Sequence, residues 1–149
     1  RTTSTADTSQ ATTDYGATPL CIAAQHGHSE VVRALTKAGA DTNRALTNQG
    51  ATSLTMAAQQ GHVEVVRLLI AATADTSQAT TDHGATPLYI AAQQGHVEVV
   101  RLLIEAGVDP NIPLTTTVRA TPVLTAHEHG HHEVVELLKQ AGGNDVAPW

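Results

Sequence analysis

A short phrase returns at a fixed interval along this chain. Gly16-Ala17-Thr18-Pro19-Leu20, Gly50-Ala51-Thr52-Ser53-Leu54 and Gly84-Ala85-Thr86-Pro87-Leu88 align without gaps, 34 residues apart, and Ala120-Thr121-Pro122-Val123 follows Ala85 by 35. Each phrase leads into a second: Gly27-His28-Ser29-Glu30-Val31-Val32, then its counterparts beginning at Gly61, Gly95 and Gly130. A register kept over four units of this length specifies an array of small supersecondary pieces, each unable to bury its apolar face alone. The chain therefore reads as one elongated array over 1–149. A partial leading loop spans 1–16, and units span 17–50, 51–84 and 85–119. A fourth unit with a C-terminal cap spans 120–149.

Local chemistry makes each unit a pair of helices. Thr18, Thr52, Thr86 and Thr121 are placed as N-caps, with Pro in the first turn of three of the four helices. Leu20, Ala23 and Ala24 fall at i, i+3, i+4 and make one apolar face, small enough for neighbouring helices to approach closely. Gly27, Gly61, Gly95 and Gly130 stop the first helix in a left-handed cap. The second helix begins near the following His, with Glu30, Glu64, Glu98 and Glu133 where the helix dipole favours negative charge. Its predicted core stripe is Val31, Val32 and Leu35 in the first unit, and Val65, Val66, Leu68, Leu69 and Ile70 in the second. Gly39, Gly107 and Gly142 end it, but Thr73 takes the equivalent place in the second unit, where a side chain is expected to cost stability.

The pattern Thr-Pro-Leu-x-x-Ala-Ala-x-x-Gly-His-x-Glu-Val-Val resembles the ankyrin repeat. Tetratricopeptide repeats of similar length carry Trp, Tyr and Phe at fixed core positions, and this chain has two Tyr, one Trp and no Phe. The resemblance implies an all-α solenoid of stacked helix-turn-helix units joined by hairpin loops. Two departures stand out. The residue after Thr-Pro-Leu, His in the family, is Cys21, Thr55, Tyr89 and Leu124 here. The units also run one residue long, which predicts longer hairpin loops on an unchanged fold. The outer units are more polar at aligned positions: Ala34 and Thr36 replace Leu68 and Ile70, while Thr125, His127 and Lys139 replace Ile90, Ala92 and Ile104, as expected of capping repeats. Thr5–Asp14 repeats Thr73–Asp82 letter for letter, like the tail and loop of a unit whose helices are missing. With Met56 as the sole methionine, the chain reads as a processed product or a piece of a longer array.

Little in the sequence points to catalysis, and no cofactor is implied. Cys21 is the sole cysteine, so neither a disulfide nor a four-cysteine zinc site is available; it reads as an inert thiol beside the core. Every glycine is accounted for by a turn or cap, and the carboxylates by helix starts. His28, His62, His96 and His131 read as structural hydrogen-bonding residues. The cluster His127, His129, His131 and His132 is interrupted by Gly130, so polar end surface is preferred over a metal site. A net charge of −6 argues against nucleic acid, and no apolar stretch has the length to span a membrane. The Thr-rich loops read as turn chemistry in preference to sugar attachment. Nothing fixes the compartment: the cytoplasm is the default, and an extracellular location accompanies a filament.

What the resemblance implies about function is capture of another protein through the hairpin tips and the exposed face of the first helices. Carried onto this chain, that surface is Asp14, Tyr15, Gln25 and His26, then Asn48, Gln49, Gln59 and Gln60, then Asp82, His83, Tyr89, Gln93 and Gln94. In the fourth unit it is Glu128 and His129 beside Val118 and Arg119, where Arg119 replaces the turn glycine. Any one of these residues alone is as well explained by solvation; the ridge together carries the expectation. The alternative is a structural subunit that associates end to end with copies of itself, since a head-to-tail contact that does not close builds a filament.

Overall fold

The computed structural model describes residues 16–47, 49–112, 114 and 120–144. Among them are eight helices and no strand: α1 (Pro19–His26), α2 (Ser29–Lys37), α3 (Ser53–Gln60), α4 (Val63–Ala71), α5 (Pro87–Gln94), α6 (Val97–Glu105), α7 (Pro122–Glu128) and α8 (His132–Gln140). Odd-numbered helices pack in one row and even-numbered helices in a second, each against its neighbours in the row and its own partner across it. At seven to nine residues, none of these helices is long enough to persist alone in water. Nor is any of them long and apolar enough to cross a membrane.

The starts and stops follow the sequence. The hydroxyls of Thr18, Thr52, Thr86 and Thr121 accept from the backbone N–H three residues on, each at 3.2 Å. Each such cap contributes roughly 1 kcal/mol. Gly27, Gly61 and Gly95 cap α1, α3 and α5 in the left-handed region at φ 75, 75 and 78°. In α7 the helix stops one residue sooner, at His129, with Gly130 following at φ 76°. Thr73 is the one non-glycine residue with positive φ among the described residues, at 63°, whereas Gly39, Gly107 and Gly142 in its register lie at 90, 89 and 99°.

The core is continuous and aliphatic. Leu20, Leu54, Leu88 and Val123 are fully buried in one row, as are Leu69, Leu103 and Leu138 in the other, with Ala24, Ala58 and Ala92 letting the odd helices close up. Two expectations need correction. Val31, placed in the core stripe, is 48% exposed, although its counterparts Val65, Val99 and Val134 are at most 1% exposed. It lies at the N-terminal end of the described stack, where no helix of a preceding pair among the described residues covers it. Leu35, Leu68 and Ile70 only edge the core. At the other end His127 and Lys139 are exposed, as polar end positions should be, but Thr125 is buried at 2% exposure.

Neighbouring pairs are tied by polar contacts as well as packing. The Nε2 atoms of His62, His96 and His131 lie 3.0, 2.9 and 3.0 Å from the carbonyl oxygens of Gln25, Gln59 and Gln93 in the preceding pair. Each ring also sits against the preceding helix-ending glycine. A Cβ on Gly61, for example, would lie 2.6 Å from the His96 ring, so that glycine answers to space as well as to φ. On the opposite loops, Asn43 Oδ1 accepts from Asp75 N–H at 2.7 Å and Asn111 Oδ1 from Asn144 N–H at 2.8 Å. Ser77 holds the intervening register position.

Candidate functional site

α3 and α5 each begin just after a hairpin whose geometry is set by a few backbone bonds. Leu46 N–H donates to Ala51 O at 2.9 Å and Gly50 N–H to Leu46 O at 3.0 Å; Thr80, Gly84 and Ala85 repeat the pattern. Adjacent hairpins are joined by Thr81 N–H donating to Gln49 O at 2.8 Å. A Cβ on Gly50 would fall 2.7 Å from the Thr81 backbone nitrogen, so the close approach of the next hairpin requires glycine there. This arrangement holds the tips beside the last turns of α1, α3 and α5.

Between tips and helices lies a groove crossing three successive pairs. One compartment, about 380 Å³, includes Gln25, Gln49, Gln59, Asp82, His83, Tyr89, Gln93 and Gln94 in its walls. A second compartment of about 410 Å³ shares Gln25, Leu46, Gln49 and Met56 with the first and adds Ala17, Cys21 and Ile22. The structure thus brings eight of the expected surface residues into one concavity. His26, Gln60, Glu128 and His129 are exposed but stand outside it. His26 and His129 instead turn Nδ1 toward backbone carbonyls of their own helices, Ile22 O at 3.0 Å and Thr125 O at 2.8 Å. Asp14, Tyr15, Asn48, Val118 and Arg119 lie outside the described residues.

Tyr89 requires a correction. Expected on the exposed ridge, it is 7% exposed and forms part of the groove wall. The sequence reading also missed the groove's apolar residues: Leu46, Met56, Ile90 and Leu114, with Ile22 at 43% exposure. A signal was present, because Leu46, Thr80 and Leu114 recur at the repeat interval inside loops where solvated residues were expected.

The charge of the groove is simple. Among its described lining residues Asp82 is the one carboxylate, and no Lys or Arg contributes. The Thr80 hydroxyl bonded to its side chain lowers its pKa, helped by the His83 backbone N–H at 2.7 Å and the nearby imidazole, whose Nε2 lies 3.7 Å from Oδ2. The carboxylate therefore stays ionised at neutral pH.

Other reactive groups are engaged elsewhere. Cys21 is 1% exposed; its Sγ donates to Arg44 O at 3.8 Å and accepts from Ser53 Oγ at 3.5 Å. Of the C-terminal histidines, His131 is tied to Gln93 and stacks on His129 at 6.2 Å between ring centroids. Among the described residues no three His, Cys, Asp or Glu side chains converge as metal ligands would.

Comparison with known protein families returns one described as ankyrin repeats in three copies, matching residues 4–80, 39–114 and 72–147. Comparison with curated individual proteins returns no match.

Proposed function

Because the chain belongs to the ankyrin-repeat family, whose members generally mediate protein–protein interaction, we propose that it is a non-enzymatic scaffold that binds another protein through the groove between its hairpin tips and first helices. The observation that carries this reading is the convergence of Gln25, Gln49, Gln59, Asp82, His83, Gln93 and Gln94 around one concavity that spans three helical pairs. Gln25, Gln59, Gln93 and Gln94 sit on short helices held by buried Leu and Ala rows, and Gln49, Asp82 and His83 on the hairpins between them, so the surface is presented by a packed frame. Polar amides beside Leu46, Met56 and Tyr89 give the mixed character of a recognition surface.

The test replaces Gln59, Gln60, Gln93 and Gln94 together with Ala. Proteins captured by the immobilised wild-type array and identified by mass spectrometry should be lost with the variant, while the helical circular dichroism stays unchanged. An identical captured set would place recognition on another face.

The end-to-end alternative draws support from the apolar N-terminal end, where Ile22 and Val31 are 43% and 48% exposed. Head-to-tail stacking would press that end on α8, whose Glu133, Glu136, Lys139 and Gln140 are exposed. Apolar groups against charges make a poor joint, so the scaffold is the preferred reading. Light scattering across micromolar concentrations decides it: a mass rising above 15.5 kDa favours assembly.

A further inference from the structure

We propose that the groove takes an extended, polyproline II-type peptide segment of the partner, carrying an aliphatic and a basic side chain three residues apart; this rests on the scaffold reading above. The first argument is periodicity. Gln25, Gln59 and Gln93 occupy the same register on α1, α3 and α5, and Glu128 takes the fourth place on α7. Packed helices lie about 8–10 Å apart. A polyproline II chain turns once every three residues and advances about 9 Å in doing so, presenting the same face to each unit. A β-strand returns to the same face every two residues and falls out of step.

The second argument is hydrogen-bonding chemistry. A polyproline II backbone makes no internal hydrogen bonds, so its carbonyls are open to donors. A glutamine amide both donates and accepts, which suits main-chain groups whatever side chains the peptide carries. These glutamines are also held in place. Their backbone carbonyls face the Nε2 atoms of His62, His96 and His131, so the main chain that carries each amide is anchored once per unit.

Charge and shape select the side chains. The compartment where Ala17, Ile22, Leu46 and Met56 meet Gln25 and Gln49 is mainly apolar and fits an aliphatic group. Asp82, the one carboxylate among the groove's described lining residues and ionised, lies about one unit further along and attracts a Lys or Arg. The net charge of −6 adds to that attraction.

The experiment displays random dodecapeptides on phage and selects them on the 149-residue chain. Selected sequences should carry Leu, Ile or Val three residues from Lys or Arg, with Pro enriched around them. A synthetic, fluorescein-labelled copy of the strongest should lose about tenfold in affinity by fluorescence polarisation when Gln59 and Gln93 are both changed to Ala. Asp82→Asn should weaken it several-fold and abolish the preference for the basic residue over Gln. Selection of no peptide, or of peptides lacking the three-residue spacing, overturns the inference, as does binding indifferent to the Gln changes. If the quadruple Ala variant nonetheless loses its captured proteins, the scaffold reading stands and the ligand is a folded surface instead.

Discussion

Replacing Thr73 with Gly should make the protein more stable. Thr73 ends α4 with φ at 63°, a conformation that costs a β-branched residue about 1–3 kcal/mol. The equivalent Gly39, Gly107 and Gly142 lie at 89–99° with open space where a Cβ would project, so glycine is favoured there by φ alone. Thr73 itself is exposed, and its hydroxyl is bonded to the adjacent Ala72 carbonyl, so removing the side chain sacrifices little. Against the relief of strain stands the greater freedom of glycine in the unfolded chain, roughly 0.5–1 kcal/mol. The net gain is about 1 kcal/mol, which corresponds to a rise in Tm of about 3 °C for a chain of this size. Urea unfolding followed by circular dichroism at the helix band would show a raised midpoint at unchanged slope. The reverse change, Gly107→Ala, should cost about 1 kcal/mol by the same principle. A neutral or destabilising Thr73→Gly beside a costly Gly107→Ala would refute the argument, because it would show that the strain at residue 73 is absent.

Three further outcomes are expected. His96→Ala should destabilise by about 1–2 kcal/mol, since it removes the partner of the Gln59 carbonyl and opens a gap above Gly61; urea midpoints measure it. Ser77→Asn should stabilise by about 0.5–1 kcal/mol by supplying the side-chain acceptor that Asn43 and Asn111 provide at the flanking junctions, read as a raised thermal midpoint. For Asp82 the lowered pKa means that the favourable interactions of its carboxylate are fully present above the ordinary aspartate range and are lost as pH falls through the depressed value. Thr80→Val, removing the largest cause, should move the carboxyl midpoint upward in an NMR titration; an unmoved midpoint would assign the shift to His83 instead.

The helices, caps and strained Thr73 were legible in the sequence because each is decided within four residues of its own position. Thr86 caps α5 through the Tyr89 N–H, and nothing distant alters that. What failed was whatever depends on a neighbour. Val31 fits the apolar stripe of its helix, but a stripe does not reveal whether another helix lies over it. Tyr89 fits an exposed position when its register is read on the first helix alone, but it is buried in a groove wall built from more than one unit. Leu46 and Leu114 were passed over as loop residues, although they return at the repeat interval and help to line the concavity. The motif histidines were identified as structural, but their reach across 37 or 38 residues to a glutamine carbonyl is not a spacing any local pattern contains.

Those three histidines span 37, 37 and 38 residues, yet the contacts they close all measure 2.9–3.0 Å. The added residue of the longer unit is therefore absorbed in its loop without disturbing the joint. A molecule assembled from such couplings can gain or lose whole carriages, like a train. Duplicating residues 51–84 would insert a coach whose hook and eye already match those on either side, so its length can be edited without designing a new interface.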